Sequence, residues 1–247
     1  MSSLYPSVVL LKTHVWTTEL EQFATKIYHE TRSIGINFYI LLHRRDDSTI
    51  VINNKLKSIV LSFTEDEIKS IYPTGFYSMW LSNHWILMWF YKKRGSSYKY
   101  FWSMEYDVRI SGSSTNIWCH ESNYDFLYTM GNYRNINHKY ITYYVGTKLN
   151  ITDRFFGYLQ LARYSNKALE CLDKYFSEGE NGQDELIIFS LINYSGLTKS
   201  NAYLSKLIRG SWTWIDGYSD YNKKIYHEYN RLLIRDKKQV YIFHPIK

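Results

Sequence analysis

The chain is short of the residues that punctuate or staple a fold: 3 Pro, 12 Gly and 2 Cys in 247 residues. No Pro/Gly linker, internal repeat or low-complexity segment is found, so a single domain spanning 1–247 is expected. Cys119 and Cys171 lack metal-ligand spacing and make no disulfide framework, which disfavours a zinc site and suits a reducing compartment. There is no Gly-x-x-x-x-Gly-Lys-Ser/Thr and no Gly-x-Gly-x-x-Gly, so P-loop and dinucleotide enzymes are disfavoured. The formal charge is +7, from 30 basic and 23 acidic residues, yet the basic residues form no block. Such a spread excess favours anionic partners such as nucleotide phosphates without resembling a nucleic-acid arm. The most apolar stretch, Trp80 to Tyr91, is too short for a membrane span and contains Asn83 and His84. The amino terminus lacks the charged segment of a signal peptide. A cytoplasmic protein without a membrane span is expected.

What the chain does have is apolar mass and aromatic rings. Hydrophobic residues make up 45% of it, enough for a core, and 25 Tyr and 8 Trp raise the aromatic share to 18%. Such rings stack on sugars and bases alike, although AT-rich coding also enriches Tyr. Ser7 to Leu11 reads as a buried parallel strand. Thr18 to Glu30 reads as an amphipathic helix capped by Thr17 or Thr18. Further strands are expected at Asn37 to Leu42, Ser58 to Phe63 and Lys99 to Met104. Thr64-x-x-Glu67 is a capping box, and Asn83 to Tyr91 is helical. In the second half, Phe155 to Ala162 is strand-like, and Asn166 to Phe176 and Leu186 to Ile192 are helical. Strands alternating with helices argue for an α/β fold, a mostly parallel sheet flanked by helices.

Ligands of such sheets bind at the carboxyl ends of the strands. Three polar clusters fall there: Lys12-Thr13-His14, Arg44-Arg45-Asp46-Asp47 and Glu105-Tyr106-Asp107. In an extended chain Glu105 and Asp107 point the same way, and two neighbouring carboxylates repel unless a cation lies between them. A hard divalent ion, Mg²⁺ or Mn²⁺, suits such oxygen ligands. The plain alternative is a solvated strand end, or a salt bridge to Arg109. Asp184 and Glu185 follow a glycine-bracketed turn and start a helix. There they serve either as ordinary caps or as a general base placed at a cleft.

Taken in order, these features resemble the GT-A class of nucleotide-sugar glycosyltransferases, in particular small enzymes of large DNA viruses. Glu105-Tyr106-Asp107 resembles the acid-x-acid metal motif, and Gly182-Gln183-Asp184-Glu185 the acidic pair of the acceptor half. Phe156-Gly157-Tyr158 to Arg163-Tyr164-Ser165 resembles the acceptor-side strand, and the Tyr241 to Lys247 segment the late histidine that ligates metal. The resemblance implies a GT-A-like domain with a Rossmann-like nucleotide-sugar-binding half, 1–112, and an acceptor half, 113–247. It implies metal binding by Asp107, His244 and Glu105. It also implies donor contacts from Thr13, His14, Arg44, Asp46, Glu105 and Lys247, and catalysis by Glu185 or Asp184. The cofactors would be Mn²⁺ or Mg²⁺ and a UDP- or GDP-sugar, with a glycan or other hydroxyl compound as acceptor. Transfer would invert the anomeric centre if one of the two acids reaches the acceptor, and retain it otherwise. Trp118, Trp212 and Trp214 are candidate sugar platforms. A viral origin would place the protein in host cytoplasm or virion. Two other classes stay open: a non-catalytic sugar or sugar-nucleotide binder, and a basic, Tyr-rich single-strand nucleic-acid binder.

Overall fold

A computed structural model describes residues 5–44, 50–72, 78–134, 143–210, 212, 220–235 and 239–246. In chain order the first half runs β1 (Tyr5–Thr13), α1 (Thr18–Ser33), β2 (Asn37–His43), β3 (Val60–Phe63), α2 (Glu65–Lys69), α3 (His84–Arg94), β4 (Tyr98–Glu105) and β5 (Arg109–Ser111). The second half runs α4 (Thr115–Trp118), β6 (Phe126–Tyr128), β7 (Gly131–Arg134), β8 (Phe155–Gly157), β9 (Leu161–Ser165), α5 (Asn166–Ser177), α6 (Asp184–Tyr194), β10 (Lys199–Ser200), β11 (Ile208–Arg209), α7 (Asp220–Arg235) and β12 (Tyr241–Phe243).

A seven-stranded sheet in the order β10-β6-β9-β4-β1-β2-β3 forms the centre. Only β9 opposes the rest: β4 and β6 both pair with it antiparallel, while β1 pairs parallel with β2 and β4. The expected α/β class with a mostly parallel sheet is what is observed. Its cause is visible in β1. Val8 and Leu10 pack on one face with α3, α5 and α6, whereas Val9 and Leu11 pack on the other with α1 and Trp118 of α4. A strand covered on both faces needs an apolar residue at every position, which a Val-Val-Leu-Leu run supplies. The same logic makes α3 apolar all round, with every residue from His84 to Phe90 buried.

Local signals act as expected at several ends. The Thr17 side chain caps α1, and both arms of the Thr64–Glu67 capping box form at α2. Other boundaries differ. Residues 57–59 form a turn of 3-10 helix before β3. The strand expected from Phe155 to Ala162 is two strands, because β8 pairs with β7 outside the main sheet while β9 joins it. The β7–β8 pair sits close: a Cβ on Gly131, at φ +120, would lie 2.1 Å from the Gly157 Cα. A third sheet, β11-β12-β5, brings the last strand back to the chain just beyond β4. Among the described residues no helix is long and apolar enough to cross a membrane.

Candidate active site

The polar ends of β1, β2 and β4 open into a cavity of about 160 Å³. Lys12, Thr13 and His14 line it from β1, His43 from β2, and Glu105, Tyr106 and Asp107 from β4. The opposite wall is Met79, Trp80, Asn83 and Ile86 around the start of α3, with Asp184 and Glu185 from the first turn of α6.

Glu105 is the last residue of β4, and Val108 N–H donates to its carbonyl at 3.1 Å, closing a turn through Tyr106 and Asp107. The two acids therefore converge through a turn, not through the strand alternation expected from the sequence. β12 runs antiparallel to β5 with Phe243 opposite Arg109, which sets His244 beside Asp107. Ile246 N–H then donates to the Asp107 carbonyl at 2.8 Å, and His244 Nε2 lies 3.6 Å from Asp107 Oδ1. One ligand atom each from Glu105, Asp107 and His244 falls within 4.8 Å of the other two. Asp107 and His244 are buried. Glu105 accepts from Asn83 Nδ2 at 2.8 Å and faces the buried Lys12 ammonium at 3.8 Å. The Arg109 guanidinium donates to the Tyr106 and Val108 carbonyls and lies over the Phe23 ring.

The second acidic pair sits on α6, whose N-cap Gln183 accepts from Leu186 N–H. Asp184 Oδ1 accepts from Gln183 Nε2 at 2.9 Å and from Glu185 N–H at 2.8 Å. Glu185 Oε1 accepts from Gln160 Nε2 at 2.8 Å, and Gln160 Oε1 accepts from the Trp212 indole at 3.1 Å. Burial and then the Glu105 charge push the Asp184 carboxyl up to about 7, against a smaller opposing pull from Lys12. Burial, Asp184 and Glu105 together push Glu185 well above the ordinary carboxylate range. The buried imidazole of His84 is driven down to about 3, by burial first and Lys12 second, so it is neutral.

Six of the ten site residues expected from the sequence line this cavity: Thr13, His14, Glu105, Asp107, Asp184 and Glu185. His244 joins through Asp107 and Glu105. The Thr13 hydroxyl closes a local turn with Val15, and the His14 ring meets Tyr106 edge-on at 4.8 Å. Arg44 is exposed and does not line the cavity, because β2 delivers its final residue, His43, instead. Asp46, Lys247 and Trp214 lie outside the described residues. Trp118 and Trp212 are buried, the first bonded to Ser114 and the second to Gln160, so neither is an open sugar platform. Sequence reasoning placed Lys12 in a strand-end cluster without giving it a role, and missed His43, Asn83, Gln160 and Trp80 as site residues. A lysine ending an apolar strand beside an acid-ended one was a usable signal for Lys12; Gln160 carried none. The roomier cavity, about 650 Å³, lies on the far side of Tyr106 between α1 and α7, away from the acids.

No family model and no curated protein sequence matches the chain. Among solved structures, a galactosyltransferase, LgtC, in complex with donor and acceptor sugar analogues aligns over 96% of this chain and 87% of its own, with 10% identity and a TM-score of 0.45. A glycosyltransferase involved in glycosylation of the major capsid of the virus PBCV-1 aligns over 97% and 81%, with 14% identity and a TM-score of 0.35. An active-site mutant of LgtC aligns over 87% and 82%, with 10% identity and a TM-score of 0.42. Likeness at these levels does not by itself carry an activity to this chain.

Proposed function

We propose that this chain is a single-domain, divalent-metal-dependent glycosyltransferase that moves a sugar from a UDP- or GDP-sugar to an acceptor hydroxyl. One observation carries the reading. A Glu-Asp-His ligand group within 4.8 Å lies at the carboxyl end of a parallel strand, and Glu105 and Asp107 share their cavity with a second, buried acidic pair. The donor set fits the ion: two carboxylates and an imidazole suit Mn²⁺, and Mg²⁺ through the carboxylates. The charge balance fits as well, since four carboxylates face this region and Lys12 is the only Lys or Arg among the described lining residues. Glu105, Asp107 and His244 would hold the ion, which when bound neutralises charge on the leaving diphosphate.

The chain's own groups have separate tasks. Thr13, His14 and His43, at the ends of β1 and β2, form the nucleoside side. Lys12 holds Glu105 in place and adds positive charge beside the diphosphate. Asp184 is the better base of the acidic pair: with a pKa of about 7 it can both take and release the acceptor proton near neutrality. Glu185, whose carboxyl burial also pushes up, accepts from Gln160 Nε2 and shapes the wall beside it. With Asp184 on the acceptor side, displacement inverts the anomeric centre.

The test is calorimetric titration of UDP- and GDP-sugars with and without Mn²⁺, on wild type and on Asp107→Ala, followed by NMR of the product's anomeric configuration. Metal-dependent binding of one donor, weakened at least ~10-fold in the variant, is expected. No donor binding under either metal condition overturns the reading. Retained configuration removes Asp184 as base while leaving the transferase standing, and binding without turnover makes the protein a non-catalytic sugar-nucleotide binder.

A further inference from the structure

Trp80 is 57% exposed, and among the described tryptophans it alone falls in the exposed class. It also lines the acidic cavity. An exposed ring that also lines a polar cavity is placed where a ligand entering that cavity meets it.

The local chain fixes where that ring sits. Ser82 N–H donates to the Ser78 carbonyl at 2.8 Å, and Leu81 N–H to the Ser78 hydroxyl at 3.2 Å, so residues 78–82 form a closed turn before α3. That turn is tied to both acidic groups. The Leu81 carbonyl accepts from Asp184 N–H at 2.8 Å, and Asn83 Nδ2 donates to Glu105 at 2.8 Å. Trp80 is thus one residue from a backbone bond to the proposed base. The nucleoside side, at Thr13, His14 and His43, belongs to other elements.

We propose that Trp80 is the platform for the acceptor, and that the acceptor is a saccharide whose pyranose ring lies with its C–H face on the indole. A pyranose presents an apolar C–H face and a rim of hydroxyls. The indole matches the face, and Asp184 at the cavity wall matches a rim hydroxyl. A peptide or lipid hydroxyl would use the base without needing a flat ring beside it. This inference rests on the glycosyltransferase reading and names its acceptor class.

The experiment uses the full chain with Mn²⁺ and either UDP or GDP. Methyl pyranosides and simple disaccharides are titrated by saturation-transfer NMR on wild type, Trp80→Phe and Trp80→Ala, and the nucleoside diphosphates are titrated separately by calorimetry. Saturation on the C–H protons of one face is expected, with saccharide binding weakened about 10-fold in Trp80→Ala and within about 3-fold of wild type in Trp80→Phe. Nucleotide binding should be unchanged in all three proteins. The proposal is overturned if Trp80→Ala binds saccharide as wild type does, if nucleotide and saccharide binding fall together, or if wild type binds no saccharide. Nucleotide binding by wild type reports on the transferase reading alone, so the two failures are distinguishable.

Discussion

Asp184→Asn should make the protein more stable above neutral pH while removing sugar transfer. The Asp184 carboxyl titrates near 7 in the fold, because it is buried and faces Glu105, against about 3.9 in an unfolded chain. Between those values the folded state holds the extra proton, so stability falls as pH rises from about 4 to 7 and stays reduced above. A difference of about three pH units corresponds to ~4 kcal/mol. The amide keeps the existing geometry, because one atom, Oδ1, accepts both from Gln183 and from Glu185 N–H, and an asparagine Oδ1 can do the same. Removing the charge also relieves Glu185, whose carboxyl the neighbouring Asp184 charge helps to push up. For a chain of this length the gain at pH 8 corresponds to a Tm higher by about 10 °C, shrinking toward zero near pH 4. Thermal unfolding of wild type and variant across pH 4 to 9 measures it, and Mn²⁺ should narrow the gap by supplying wild type with the missing positive charge. A variant less stable than wild type at pH 8, or a difference independent of pH, would refute the reasoning.

Two further substitutions test the supports of the site. Gln160→Leu leaves the Trp212 indole and a Glu185 oxygen without the hydrogen bonds they now make, so urea denaturation should show a loss of about 1–3 kcal/mol, and transfer should fall with it. Gly157→Ala would place a methyl 2.3 Å from the Phe189 ring, in the seam between β8 and α6. Overpacking there should destabilise by about 1–3 kcal/mol in the same assay, with metal binding at Asp107 unchanged.

The elements that were legible in the sequence are those whose causes are local. Val8-Val9-Leu10-Leu11 announces a doubly covered strand, and Thr64 with Glu67 announces a helix start, within a few residues each. The places of the acid pairs were legible too, Glu105 at the end of a strand and Asp184 with Glu185 at the start of a helix. Their arrangement was not. Asp107 meets His244 only because β12 pairs with β5, a contact between segments more than 130 residues apart that no local pattern encodes. Arg44 was one of the expected donor contacts and His43 lines the cavity instead, because one residue decides whether a side chain ends the strand or leaves it. Trp212, expected as a candidate sugar platform, is buried for a similar reason, while Trp80, given no role from the sequence, is exposed. A tryptophan's burial is set by what folds over it, and Trp212 lies against His244, at 5.1 Å between ring centroids, while the turn at 78–82 carries Trp80 outward.

The strongest plain explanation for Asp184 and Glu185 is that acids favour helix N-termini, where the backbone dipole stabilises them. That explanation has a consequence which the structure contradicts. A capping carboxylate is favoured in its charged form, so its pKa falls. These two rise, because they are buried beside Glu105, and for Asp184 the Lys12 charge offsets this only partly. Gln183 already supplies the N-cap side chain, accepting from Leu186 at 3.0 Å, so the helix does not need the acids for that purpose. The pair therefore weakens the fold at neutral pH where an ordinary surface residue would not. Groups that work against stability persist where binding or chemistry uses them, and the proposed ligand group across the cavity would supply the use: a cation at Glu105, Asp107 and His244 would lower the charge that makes the pair costly. On the proposed function the two acidic groups would act as one device, a metal ion completing the charge balance that the protein leaves open.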